Sequence, residues 1–289
     1  MSSLAPIALF LAFALGLWLA IHYLVPAARA GLVASWRGAR RLVSRNPRFV
    51  TLGERLDRRF GKYRTYLPVL LIVGAGAIVS FAAADVFTDI AGSLREDSAL
   101  ARAADSWFWT TSRLYHSSGA TWFFTFFTIL GTPVALGAIV LVVAVTLLAR
   151  ARARWAFYLA ATSLVGGLLN SALKAYFVRQ RPDLAEAIRQ ASGYSFPSGH
   201  AMGSTIVFGA LTYLALRHFR DWHERSATMA IAISTVLAIS LSRIYLGVHW
   251  ITDVVAGIAA GLVWVIFATV AYEASRRVRK VRARRNSTG

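Results

Sequence analysis

The chain has 289 residues, no cysteine, 57% hydrophobic residues and 16% charged residues. Soluble domains carry about 25% charged residues. With a mean hydropathy of +0.54, this composition excludes a disordered chain, a disulfide scaffold and an ordinary soluble enzyme. The formal net charge of +19 would suggest nucleic acid on a soluble protein, but in a membrane protein it first suggests basic cytoplasmic loops.

Seven apolar runs lie at approximately 4–25, 67–87, 123–149, 155–177, 201–217, 227–246 and 250–272. One bilayer crossing takes roughly 20 apolar residues. The runs are too long for strands and lack period-two alternation. The predicted fold is therefore all-α: a polytopic membrane helix bundle with a six-span core and one extra N-terminal transmembrane helix. This divides the chain into 1–66, an anchor with a basic segment, and 67–289, the six-span domain.

The first run is followed by Ala28-Arg29-Ala30, which looks like a signal-peptidase site. No basic residue precedes it within 1–20, and the run exceeds a signal h-region. We therefore read it as a retained anchor. Residues 30–66 are Arg-rich with Trp36, Phe49, Phe60 and Tyr63 interspersed, as in a surface-lying amphipathic segment. In the loop 88–122, Ser93 and Glu96 fit a capping box. Leu100, Ala104, Trp107, Thr111 and Leu114 follow at helical spacing. The pattern predicts an interfacial helix at about 93–115, with Trp109, Tyr115 and Trp122 nearby; it would be an anchoring belt or a gate for lipid entry. Gly131-Thr132-Pro133 predicts a kink or a late helix start in the third run. The run from Arg276 to Arg285 reads as a topology determinant.

Sorting the connections by side locates the charge. Segments 29–66, 150–154, 217–226 and 273–289 hold 24 basic and 5 acidic residues, and the remaining connections hold 8 of each. The positive-inside rule makes the first set cytoplasmic. The C-terminus is then inside and the N-terminus outside. Topology explains the charge, and the nucleic-acid reading loses its support.

Three clusters carry chemistry, all predicted at the outer face. The first is Lys174 and, after six residues, Arg181-Pro182. Lys174 could merely snorkel to the headgroups, and Arg181 before Pro182 could mark plain helix termination. If the helix persists to Arg181, both cations share one face, two turns apart, and can clamp a dianion. The second is Pro197-Ser198-Gly199-His200. It could be only a turn and a cap. A helix N-terminus is also a ready phosphate site, Gly199 allows close approach, and His200 stands where an acid is needed. The third is Ser242-Arg243, five residues, His249, three residues, Asp253. His249 beside Trp250 could be an interfacial belt residue. The four-residue step also lets Asp253 hold one imidazole nitrogen as N–H and leave the other free to attack. An ionisable group such as Asp253 in an apolar run is a functional candidate by default.

The ordered trio resembles the type 2 phosphatidic acid phosphatase superfamily, which shares its site with vanadium haloperoxidases. Every motif residue is present, and the resemblance covers roughly 67–272. The resemblance implies that His249 attacks phosphorus and carries a phosphohistidine, Asp253 orients it, and His200 is the general acid. It implies that Lys174, Arg181, Ser198, Gly199 and Arg243 hold phosphate oxygens, with Pro182, Pro197 and Ser242 in support. It implies no metal or other cofactor; the chain itself has no Asp/Glu cluster suited to Mg²⁺, and His218 and His223 fall on the cytoplasmic side. The expected substrate is an outer-leaflet lipid phosphate or diphosphate. Undecaprenyl diphosphate comes first, then phosphatidylglycerophosphate or phosphatidic acid. A vanadate-dependent haloperoxidase and a non-enzymatic lipid transporter or binding protein are the alternatives. Seven spans argue against the first, and motifs at span ends rather than the midplane argue against the second.

Overall fold

The computed structural model describes residues 5–44, 51, 67–183 and 187–286. Nine helices carry the described residues: α1 (Ala5–Ser44), α2 (Leu67–Arg95), α3 (Ala99–Leu114), α4 (Ser118–Leu130), α5 (Pro133–Ala149), α6 (Ala153–Phe177), α7 (Gly199–His218), α8 (Trp222–Tyr245) and α9 (Ile251–Asn286). Among the described residues six helices are each long and apolar enough to cross a bilayer, and α4 with α5 forms a further, broken span bent by 54°. The chain is thus a multi-pass, all-α membrane protein.

The break lies at Gly131-Thr132-Pro133, as the sequence predicts. Thr132 Oγ1 accepts a hydrogen bond from Ala135 N–H at 3.2 Å, and Pro133 opens α5. A capping hydroxyl and a residue without an N–H start one helix where another stops.

The bundle is built around α7, which packs on α6, α8 and α9. Small residues let α7 and α9 approach closely. A Cβ on Gly257 would lie 2.7 Å from Ser198 O, and one on Gly261 would lie 2.8 Å from Thr205 Cβ. Outward faces are apolar: Leu141, Val142, Val145 and Leu148 of α5 are 54–64% exposed, as expected where lipid replaces water.

The first helix packs along α8. Phe10 meets Phe127 at 4.9 Å, and Trp222 Nε1 donates to His22 O at 2.8 Å. His22 and His223 stack at 4.2 Å. The helix runs unbroken through Ala28-Arg29-Ala30. Trp36 is 70% exposed; Phe49, Phe60 and Tyr63 lie outside the described residues.

The helix predicted at about 93–115 begins later than that. Ser93 lies in the last turn of α2, where its Oγ donates to Ile90 O at 2.8 Å, so there is no capping box. The chain turns at Asp97, with φ +51°, and α3 starts after Ser98. The apolar stripe of α3 faces outward, with Leu100 80%, Trp107 59% and Leu114 82% exposed. The buried residue of α3 is Asp105. The soluble-protein rule of apolar side inward is reversed here.

Candidate active site

Four helix ends meet at one end of the bundle: the C-termini of α6 and α8 and the N-termini of α7 and α9. The described arginines of the short basic connections lie at the other end, where Arg152 Nη1 donates to His218 Nδ1 at 3.3 Å.

Helix α6 does not persist to Arg181. It stops at Phe177, and Val178 caps it in the left-handed region with φ +49°. Lys174 and Arg181 therefore do not share a helical face. A returning loop brings them together instead, tied by Ser195 N–H donating to Arg179 O at 2.8 Å. Lys174 Nζ donates to Tyr194 O at 2.6 Å and to Ser195 O at 3.3 Å. Arg181 Nε donates to Gly193 O at 2.9 Å, and Nη2 donates to Ser192 O at 3.0 Å. Its Nη1 reaches Val248 O at 2.7 Å and His249 Nε2 at 3.1 Å. The loop also leans on Gly247, whose φ is +75° and where a Cβ would meet Ala187 Cα at 3.2 Å.

The arginine contact fixes the tautomer of His249. Guanidinium N–H groups only donate, so Nε2 accepts and Nδ1 carries the proton. That proton points to Asp253 Oδ2 at 3.2 Å, with Ser195 Oγ a further 3.3 Å partner of Nδ1. His249 is 2% exposed. Burial pushes its pKa down to about 4, against the opposing pull of Asp253, and the Arg243 and Arg181 charges add to the depression. The imidazole is neutral at neutral pH, with its Nε2 lone pair toward Arg181.

Asp253 is fully buried. Its Oδ2 accepts from Ser195 Oγ at 2.5 Å and from Trp250 N–H at 2.9 Å. The second bond reaches back over the first turn of α9, the carboxylate half of a capping box. Its Oδ1 accepts from Arg179 Nη1 at 2.5 Å.

The N-terminus of α7 faces this group. Ser198 N–H donates to Asp253 O at 2.9 Å. Ser198 occupies the N-cap position without a side-chain cap bond, and its buried Oγ has no partner among the described residues. Gly199 abuts Lys174: a Cβ there would lie 3.7 Å from Lys174 Cε. His200 packs on Gly131, whose added Cβ would lie 3.1 Å from His200 Cδ2. Lys174, Arg181, Arg243 and His249 all lie within electrostatic reach of His200.

Arg243 is 6% exposed. Its Nη1 donates to Thr128 Oγ1, and its buried Nε has no partner among the described residues. Pro182 and Pro197 are buried. Ser242 turns away: its Oγ donates to Ile239 O at 2.6 Å within α8, so it adds no polar group to the site. Ser195, Arg179, Thr128, Thr252 and Asp105 were not foreseen. No local spacing marks them, because their partners are remote in sequence.

Comparison with known proteins follows the same residues. The PAP2 superfamily profile matches residues 155–277, which include all three motifs. This segment belongs to the PAP2 superfamily. Phosphatidylglycerophosphatase B of Bacillus subtilis (strain 168) is 39% identical to this chain over 97 residues, 33% of this chain and 47% of that protein. An undecaprenyl-diphosphatase of Sulfolobus acidocaldarius is 35% identical over 88 residues, 30% of this chain and 38% of that protein. The chain thus spans less than half the length of these curated relatives. The crystal structure of a transmembrane PAP2-type phosphatidylglycerolphosphate phosphatase from Bacillus subtilis matches with a TM-score of 0.62 and 25% identity, covering 67% of this chain and 96% of that one.

Proposed function

We propose that this protein is a PAP2-type integral-membrane lipid phosphatase that hydrolyses lipid phosphates or diphosphates through a phosphohistidine on His249. One observation carries the reading. The buried imidazole is held as the Nδ1–H tautomer by Asp253, and its Nε2 lies 3.1 Å from the Arg181 guanidinium. A nucleophile is thereby aimed where a phosphate oxygen finds a cation.

In the first step the Nε2 lone pair attacks phosphorus and the bond to the lipid oxygen breaks. His200 donates a proton to that oxygen. Lys174, Arg181 and Arg243 balance the phosphoryl charge, with Ser198 Oγ and the Gly199 N–H as further donors. Asp253 stabilises the cationic ring formed on His249. Water then attacks phosphorus, His200 takes its proton, and the P–N bond breaks to release phosphate. Positioning and charge do most of the work in phosphoryl transfer.

The described arginines of the short basic connections lie at the bundle end opposite the site, which under the positive-inside rule supports an extracytoplasmic site. The substrate then sits in the outer leaflet. Undecaprenyl diphosphate is our first assignment, followed by phosphatidylglycerophosphate and phosphatidic acid; the named activities of the relatives support that class. Purified protein in detergent is expected to release phosphate from at least one of these three lipids, with EDTA having little effect. No release from any of them would sink the reading.

A further inference from the structure

We propose that Arg179 is the positioning residue of this site, keeping Asp253 charged and aimed at His249, and that Asp105 of the interfacial helix holds Arg179 in place. The proposal rests on the phosphatase reading for its kinetic consequence but not for its geometry. Arg179 Nη1 pairs with Asp253 Oδ1 at 2.5 Å, and Nη2 pairs with Asp105 Oδ2 at 2.6 Å. The two carboxylates sit on different helices and share one planar fork, a geometry lysine cannot reproduce.

Thr252 closes the ring. Its N–H and its Oγ1 each donate to Asp105 Oδ1, at 3.1 and 2.9 Å, while Arg179 Nη1 lies 2.7 Å from the same Oγ1. Asp105 and Asp253 are 4% and 0% exposed. A charge so deeply buried needs a partner. Among the described residues Arg179 is the arginine or lysine in direct contact with Asp253. Without it, Asp253 would gain by taking a proton, or by drawing one onto His249. Either way the neutral, correctly protonated pair would be lost.

The His249–Asp253 pair is faced by Arg179 and Arg181 from the loop, Lys174 from α6, His200 from α7 and Arg243 from α8. Of these, Arg179 is the cation that touches the carboxylate. Its removal should therefore move the titration of the pair as a whole.

The test uses full-length protein with ¹⁵N-labelled histidine, titrated by NMR without substrate, beside phosphate-release kinetics. For Arg179→Gln the pair is expected to take its proton about 1–3 pH units higher. The kcat should fall about 100-fold, as for a misplaced reacting group, with KM within about threefold. Arg179→Lys, which keeps the charge but loses the fork, should leave the titration within about one unit and recover part of kcat. Should Arg179→Gln fail to fold, the double variant Arg179→Gln/Asp105→Asn removes both charges of that ion pair and leaves neither buried alone, and the same upward titration is expected. An unmoved titration in whichever of these Gln variants folds would overturn the proposal. So would a loss confined to KM, which would make Arg179 a headgroup contact. Failure of the wild type to release phosphate would sink the phosphatase reading and leave the titration test standing.

Discussion

Helix α9 carries two carboxylates with opposite surroundings. Asp253, at its first turn, is held by a histidine four residues back and by Ser195 and Arg179 of a distant loop. Glu273, near its far end, is held mainly by its own helix, through Arg276 at 2.7 Å, with Tyr213 and Arg217 reaching in from α7. Both are enclosed by cations, so proximity to arginine does not separate chemistry from scaffolding. What separates them is the neutral imidazole: Asp253 is tied to a group that can change its bonding, whereas the Glu273 partners stay donors throughout.

The sharpest way to break this comparison is to neutralise each end. His249→Ala and Asp253→Asn should each cost about 10³-fold or more in kcat, while Glu273→Gln should stay within about threefold; phosphate release from detergent-solubilised protein measures all three. Comparable losses at both ends would erase the distinction. Gly257→Ala comes next. Its Cβ would press to 2.7 Å on Ser198 O and 3.3 Å on Met202 N, backbone atoms that cannot swing aside. The α7 N-terminus should shift away from Asp253, costing about 100-fold in kcat, and thermal unfolding should show whether the bundle loosens as well.

A third test uses pH. Burial holds His249 near 4, below the ordinary value of about 6.5. Its neutral form therefore persists down the pH scale, and its share of kcat/KM should stay level between pH 7 and 5 and fall as pH drops through about 4. An ordinary imidazole would already be mostly protonated at pH 5. The same sign governs stability: the folded state resists a proton that the unfolded state accepts. The stabilisation is complete above about 6.5 and is lost as pH falls toward 4. The smallest effect on turnover belongs to Glu273→Gln, whose lost ion pair with Arg276 should be read as a drop in Tm with kcat kept.

Sequence spacing foretold much of this, and its failures have physical causes. The apolar runs reported the spans because lipid accepts only internally bonded backbone. Gly131-Thr132-Pro133 reported the break because it lacks a donor where a helix must restart. His249 and Asp253 were legible because a four-residue step brackets one helix start, His249 just ahead of α9 and Asp253 in its first turn. Lys174 and Arg181 were paired rightly but by the wrong route, since nothing local announces that a β-branched residue, Val178, will take φ +49°. Asp105 was passed over because attention to the apolar stripe of α3 selects the face turned outward. The four-residue step from Gly257 to Gly261 is a small-residue helix-contact signal, and it marks where α9 meets α7.

The Oδ2 atom of Asp253 accepts from the Trp250 backbone as well as from His249. One oxygen thus starts the longest helix of the core and steers the reacting ring. Damage at position 253 will register in the melting curve and the turnover number together, and neither measurement alone can say which job was lost. A silent enzyme with an intact scaffold must be sought just ahead of that helix, at the imidazole itself.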